Sequence, residues 1–261
     1  MMNFNVFYKK EGEKPLDNIL TDGGFAAIFR TLACVGDSFS SGELEIINNG
    51  EVKALDVYEQ SWGQYIARMT GAKVYNFSRG GMKAKEYFEE FAPAKDFWNK
   101  EYACQGYIIA LGENDTKLTE RIIGEISDID IKDYNNNKDT FMGNYAKIIQ
   151  KYKEIQPDAK FFLVTMPRYY LDKPERREQK LRGNKAIREL SSFFDNTYLI
   201  DLFEYAPLYD ETFKEIAFLN GHMSSQGYLI TAKLIASYID YIIRSNPKEF
   251  AAVGLIGKEL K

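Results

Sequence analysis

Four short segments of this chain hold side chains of the types that nucleophilic catalysis uses. Ser38 stands in Gly36-Asp37-Ser38-Phe39-Ser40-Ser41-Gly42-Glu43, and a second small polar stretch reads Ser78-Arg79-Gly80-Gly81. Gly112-Glu113-Asn114-Asp115 is the third and Gly221-His222-Met223-Ser224 the fourth. His222 is the single histidine of the chain, and it stands in a Gly- and Ser-rich turn directly before a helical pattern. The ordinary pKa of imidazole, about 6.5, leaves it mostly neutral at pH 7, so histidine is the usual base for a serine hydroxyl. The chemistry on offer is attack by a serine, with amide and backbone N–H groups near a developing oxyanion. Each segment also has a plain structural account. Gly36 ends a strand, Asp37 caps the next helix, Gly80-Gly81 makes a turn, and Asn114 or Asp115 caps a helix. Ser40 and Ser41 read as bystanders.

A sheet would bring these segments together. Five short runs are apolar on nearly every residue: 31–35 (TLACV), 73–77 (KVYNF), 107–111 (YIIAL), 161–165 (FFLVT) and 198–202 (YLIDL). Such runs suit parallel strands covered by helices on both faces. Helical spacing separates them. Tyr58, Trp62, Tyr65, Ile66 and Met69 share a face before Gly71, and Phe141, Tyr145, Ile148, Ile149, Tyr152 and Ile155 share one before Pro157. Residues 226–243 form a third such pattern. The alternation predicts an α/β fold, a three-layer α/β/α sandwich on a five-stranded parallel sheet with right-handed crossovers, as one domain over residues 1–261. In such a sheet ligands bind at the carboxyl ends of the strands, where the chain order reverses. Three of the four polar segments directly follow predicted strands, and the fourth precedes the last helix.

Composition narrows the function classes. The chain has 261 residues, 45% hydrophobic and 28% charged, as expected of a globular protein with a sizeable core. A net charge of −4 gives no clustered basic excess for nucleic acid. No run approaches the roughly 20 apolar residues of a membrane span, and MMNFNVFYKKEGEKP has no apolar segment of signal-peptide length, so a cytoplasmic location is expected. Cys34 and Cys104 lie in or beside apolar runs and read as buried thiols, with no metal-ligand spacing. The 18 Tyr and 18 Phe read mainly as core and surface rings. Within 116–140, DIDIKDYNNNKD lacks the glycine and glutamate of a calcium loop, so a solvated loop or short helical insertion is expected. Residues 167–183, PRYYLDKPERREQKLRG, read as an exposed helix with its lead-in loop.

At this point the sequence resembles the SGNH or GDSL hydrolases. GDSFSSGE resembles their first block, NFSRGG the second, GEND the third and GHMSSQGY the fifth, in that order over residues 36–228. The resemblance implies a flavodoxin-like SGNH hydrolase fold and a serine esterase or acylhydrolase that cleaves a small-molecule carboxylic ester without cofactor or metal. It implies Ser38 as nucleophile and His222 as base. The oxyanion hole would be the N–H of Ser38, the N–H of Gly81 (or of Gly80), and the amide of Asn114; Gly36, Asp37, Gly112 and Asp115 complete the blocks. A mid-chain Gly-x-Ser-x-Gly elbow, the mark of the α/β-hydrolases, is not present at Ser38, where the pattern is Gly-x-Ser-x-Ser.

The chain departs from the family's pattern at one position. The aspartate that should stand three residues before the histidine is Leu219. A backbone carbonyl, that of Leu219, is the expected orienting group, with Asp210 or Glu215 as alternatives. The absent aspartate keeps a non-catalytic binding protein in view, and acyl transfer to an acceptor other than water would use the same residues.

Overall fold

The computed structural model describes residues 7–117 and 122–258. Residues 1–6 of the N-terminal stretch, and 118–121 of the 116–140 segment, lie outside the described residues. The chain runs β1 (Thr31–Gly36), α1 (Ser38–Ser41), β2 (Glu43–Asn48), β3 (Glu51–Asp56), α2 (Trp62–Thr70), β4 (Lys73–Ser78), α3 (Ala84–Glu86), α4 (Ala92–Ala94) and β5 (Gly106–Ala110). It continues with α5 (Phe141–Ile155), β6 (Lys160–Val164), α6 (Pro174–Phe193), β7 (Thr197–Ile200), α7 (Leu202–Tyr205), α8 (Glu211–Ala217), β8 (Phe218–Leu219), β9 (His222–Met223), α9 (Ser225–Ser245) and α10 (Pro247–Phe250).

Five strands form one parallel sheet in the order β4-β1-β5-β6-β7. Its interior strands are buried on both faces, which is why their sequences read as continuous apolar runs. Side chains alternate between two cores. Leu32, Cys34, Ile108 and Phe162 pack with Trp62 and with Ile235 and Ile239 of α9. Ala33, Val35, Ile109 and Phe161 pack on the other face with Tyr145, Ile148 and Tyr152 of α5. Rings fill much of this interior: Tyr107 stacks between Tyr152 and Phe161, and the buried hydroxyls of Tyr87 and Tyr152 satisfy each other at 2.6 Å.

Local chemistry sets the helix ends. Ser61, Thr140 and Ser224 cap α2, α5 and α9 by accepting backbone N–H bonds, and Gly71 closes α2 in the left-handed conformation. Residues 167–183 form the expected lead-in loop and a largely exposed start of α6, with an inward-turned exception at Lys180, which is 1% exposed because Asp172 and Glu113 pair with its ammonium. Alternating charge on a helix gives no sign that one cation turns inward to carboxylates of other segments. The DIDIKDYNNNKD segment forms short turns at Ile126–Asp128 and Tyr134–Asn136.

The antiparallel hairpin β2–β3 departs most from the strand pattern read in the sequence. Asn49 and Gly50 turn it with φ of 53° and 81°, the left-handed pair of a tight two-residue hairpin loop. Most of its residues are exposed, and an isolated two-stranded hairpin is marginal in water, so its root must be held. Ser41 donates to Asp56 at 2.6 Å, the N–H of Val57 bonds the carbonyl of Gly42 at 3.0 Å, and the Tyr228 hydroxyl bonds the carbonyl of Glu43 at 2.6 Å.

Candidate active site

The connections leaving β1 and β5 run in opposite directions across the sheet, so the order reverses between these neighbours. A crevice at the carboxyl ends of strands forms at such a point. Ser38 follows β1 and Asn114 follows β5, on strands whose ends are in register at Gly36 and Ala110. Gly36 also pairs with Ser78, which brings the Gly80-Gly81 turn alongside.

Ser38 begins α1, and Asp37 caps it by accepting from the N–H of Phe39 at 3.0 Å. A side chain on Gly36 would collide with Ser40, so the glycine lets α1 fold back on its strand. The Tyr228 hydroxyl reaches the carbonyl of Ser38 at 3.2 Å, tying the turn at Ser38 to α9. Burial, and the charge of Glu113, lift the Asp37 carboxyl to about 7. Asn114 donates to the carbonyl of Met82 at 3.2 Å and lies 3.4 Å from Asp37, while Lys117 holds its carbonyl oxygen at 3.0 Å. Asp115 accepts from the N–H of Ala84, so it ties α3 to this loop. Gly112 has φ of 132°, and its carbonyl takes the hydroxyl and the N–H of Thr116. Gly81 has φ of 72° and faces open space, whereas a side chain on Gly80 would meet the Glu43 carboxylate.

His222 comes to the same end of the sheet on the short β8–β9 hairpin. Its ring stacks on Phe39, the residue after Ser38, with centroids 5.5 Å apart. Its two nitrogens meet carboxylates from β2. Nδ1 is 2.6 Å from Glu45 Oε1, and Nε2 is 3.1 Å from Glu43 Oε1. The expected partner, the Leu219 carbonyl, is not on Nδ1. That expectation is corrected, and so are its alternatives. Asp210 caps α8 through the N–H of Phe213, and Glu215 makes no bond to the ring. The ring partner comes from residues 177 positions away in sequence, on a hairpin that runs across the β8–β9 turn. The sequence signal for that hairpin was Asn49-Gly50 between alternating residues, ELEIIN and EVKALD.

Burial holds the Glu43 carboxyl above the ordinary range, reinforced by Asp56 and Glu45 and opposed by His222 and Lys117. Glu43, Glu45 and His222 offer ligand atoms within 4.8 Å of one another. The two carboxylates meet opposite nitrogens of the ring. A separate apolar cavity of about 60 Å³ lies behind α1, bordered by Asp37, Phe39, Trp62, Met166, Tyr209 and Met223. Neither Ser38 nor His222 lines it. Among the described residues no helix is long and apolar enough to cross a membrane.

Residues 34–230 match the GDSL-like Lipase/Acylhydrolase family. No curated protein matches the chain. Among solved structures, a family two carbohydrate esterase from Clostridium thermocellum, in complex with cellohexaose, is 17% identical with a TM-score of 0.56, over 91% of this chain and 66% of that one. A carbohydrate esterase family 2 enzyme with a carbohydrate binding domain, from Corynascus thermopiles (Myceliophthora fergusii), is also 17% identical at 0.56, over 92% and 69%. The psychrotrophic esterase EstA from Pseudoalteromonas sp. is 14% identical at 0.53, over 83% of this chain and all of its own (100%). At these identities the likeness is one of fold.

Proposed function

Because the chain belongs to the GDSL-like lipase/acylhydrolase family, we propose that it hydrolyses a carboxylic ester with a small or medium acyl group, using Ser38 and His222. One observation carries this reading: the single imidazole of the chain stacks against the residue next to Ser38, at the point where the sheet order reverses. His222 Nε2 takes the proton of the Ser38 hydroxyl as Oγ bonds the acyl carbon. The carbonyl oxygen becomes an oxyanion, held by the N–H groups of Ser38 and Gly81 and the amide of Asn114. The imidazolium then gives its proton to the leaving alcohol as the C–O bond breaks. Water attacks the acyl-enzyme with the same base and releases the acid and free Ser38.

In the structure Nε2 is held by Glu43 rather than by Ser38. The backbone of Glu43 is pinned by Tyr228, so rotation of its side chain alone frees the ring. The same contact favours a second reading, a binding protein in which the ring is permanently engaged. A fluorophosphonate probe separates the two, since only an activated serine reacts. The esterase reading expects labelling at Ser38, its loss in Ser38→Ala and His222→Gln, and parallel loss of p-nitrophenyl acetate hydrolysis. Acetylated sugars are the first natural substrates to try, given that two structural neighbours are carbohydrate esterases. A folded wild-type protein that neither labels nor turns over ester would overturn the esterase reading.

A further inference from the structure

The residue that the family places three before its histidine is Leu219 in this chain, and its side chain is 43% exposed. We infer that Glu45, delivered by the β2–β3 hairpin, positions the imidazole in its stead, an assignment that rests on the esterase reading for its catalytic consequence. The geometry is that of a built receptor. Glu45 Oε1 meets Nδ1 at 2.6 Å, while Oε2 accepts the Gly221 N–H at 2.7 Å and the Asn220 amide at 3.0 Å. Three donors from one turn fix both oxygens. That turn is shaped for the carboxylate. Asn220 adopts φ of 60°, and a Cβ on Gly221 would come within 2.6 Å of Glu45 Oε2.

A carboxylate on Nδ1 keeps the proton there and leaves the Nε2 lone pair to act as base. It also stabilises the imidazolium that forms once Ser38 is deprotonated. A neutral glutamine cannot replace it. Its single oxygen can serve either Nδ1 or the Asn220-Gly221 donors, and its NH2 group confronts whichever donor is left. Glu45 and Glu43 lie two residues apart on one strand, hence on the same side of the hairpin, and only Glu45 faces Nδ1.

The test uses two readouts. With one histidine in the chain, 15N NMR reports the His222 tautomer without assignment. Wild-type protein should show the Nδ1–H form, and Glu45→Gln should shift toward Nε2–H. In p-nitrophenyl acetate hydrolysis, Glu45→Gln should lose about 10²–10⁴-fold in kcat with KM changed less than about threefold. Leu219 pairs with His222 across the β8–β9 hairpin, so Leu219→Asp places a carboxylate beside the ring. Added to Glu45→Gln, it should recover at least about tenfold of the lost kcat; a merely structural defect in the hairpin would not respond. An unchanged tautomer and kcat in Glu45→Gln would overturn the assignment. Should the wild type prove inactive, the esterase reading falls, while the tautomer shift still decides whether Glu45 orients the ring.

Discussion

Glu43 and Glu45 take opposite nitrogens of one imidazole, and their consequences for Ser38 differ. Glu45 leaves Nε2 available; Glu43 occupies it. On the proposed mechanism a serine hydroxyl must displace Glu43 before it can lose its proton, so reactivity scales with the fraction of molecules in which the ring is free. Glu43→Ala should therefore label with fluorophosphonate faster than wild type, by about threefold or more. Slower labelling would mean that Glu43 takes part in proton transfer rather than obstructing it. At this scale the sequence was readable wherever chemistry was local. Ser38, Asn114 and His222 each sit in a compact block, and the structure brings all three to one end of the sheet. The ring's partner was not readable in that way. A carboxylate 177 residues away leaves no mark beside the histidine, and Leu219 at the expected position pointed instead to its own carbonyl.

The same contrast holds among the elements. The parallel strands were legible because burial on both faces demands apolar residues at nearly every position. The β2–β3 hairpin leaves little trace in the sequence because exposure leaves its residue types almost free, and its one strong signal is the Asn49-Gly50 turn. Its position depends on its root. Gly42 has φ of 87°, and a Cβ there would lie 2.5 Å from the carbonyl of Val57. Gly50 also has positive φ, 81°, but a Cβ there meets nothing. Gly42→Ala should thus cost stability by about 1–3 kcal/mol and also reduce kcat, since any shift of the root carries Glu43 and Glu45 with it. Gly50→Ala should cost about 1–2 kcal/mol from strain alone and retain kcat. Thermal melts and ester hydrolysis on both variants check this. Equal activity losses would show that the hairpin positions the ring through its whole length and not through its root.

On the scale of the whole molecule, two carboxyl groups, Glu13 and Asp37, pull stability in opposite directions with pH. Glu13 ties the N-terminal stretch to α9 by a forked pair with Arg244, at 2.7 and 3.0 Å, and Arg244 in turn holds Asp240, which accepts the N–H of Phe25. The Arg244 guanidinium holds the Glu13 carboxyl down at about 2. An unfolded glutamate titrates near 4.3, so this contribution is complete above about pH 4.3 and is lost as pH falls toward 2. Asp37 behaves in the reverse sense. Burial raises its carboxyl to about 7, against about 3.9 in an unfolded chain, so the folded protein pays nothing below about pH 3.9 and a growing penalty up to about 7. Glu13→Gln should melt below wild type at pH 7, by about 1–3 kcal/mol, with the gap closing near pH 2. Asp37→Asn keeps an oxygen for the Phe39 N–H and removes the buried charge. It should melt above wild type at pH 8, with a ceiling of about 4 kcal/mol for a three-unit shift, and the two curves should converge toward pH 4. Urea unfolding across pH 2 to 9 measures both gaps. If Asp37→Asn were instead less stable than wild type at pH 8, the ionised Asp37 would have to be held by donors that outweigh its burial, with Asn114 Nδ2 at 3.4 Å the first to examine.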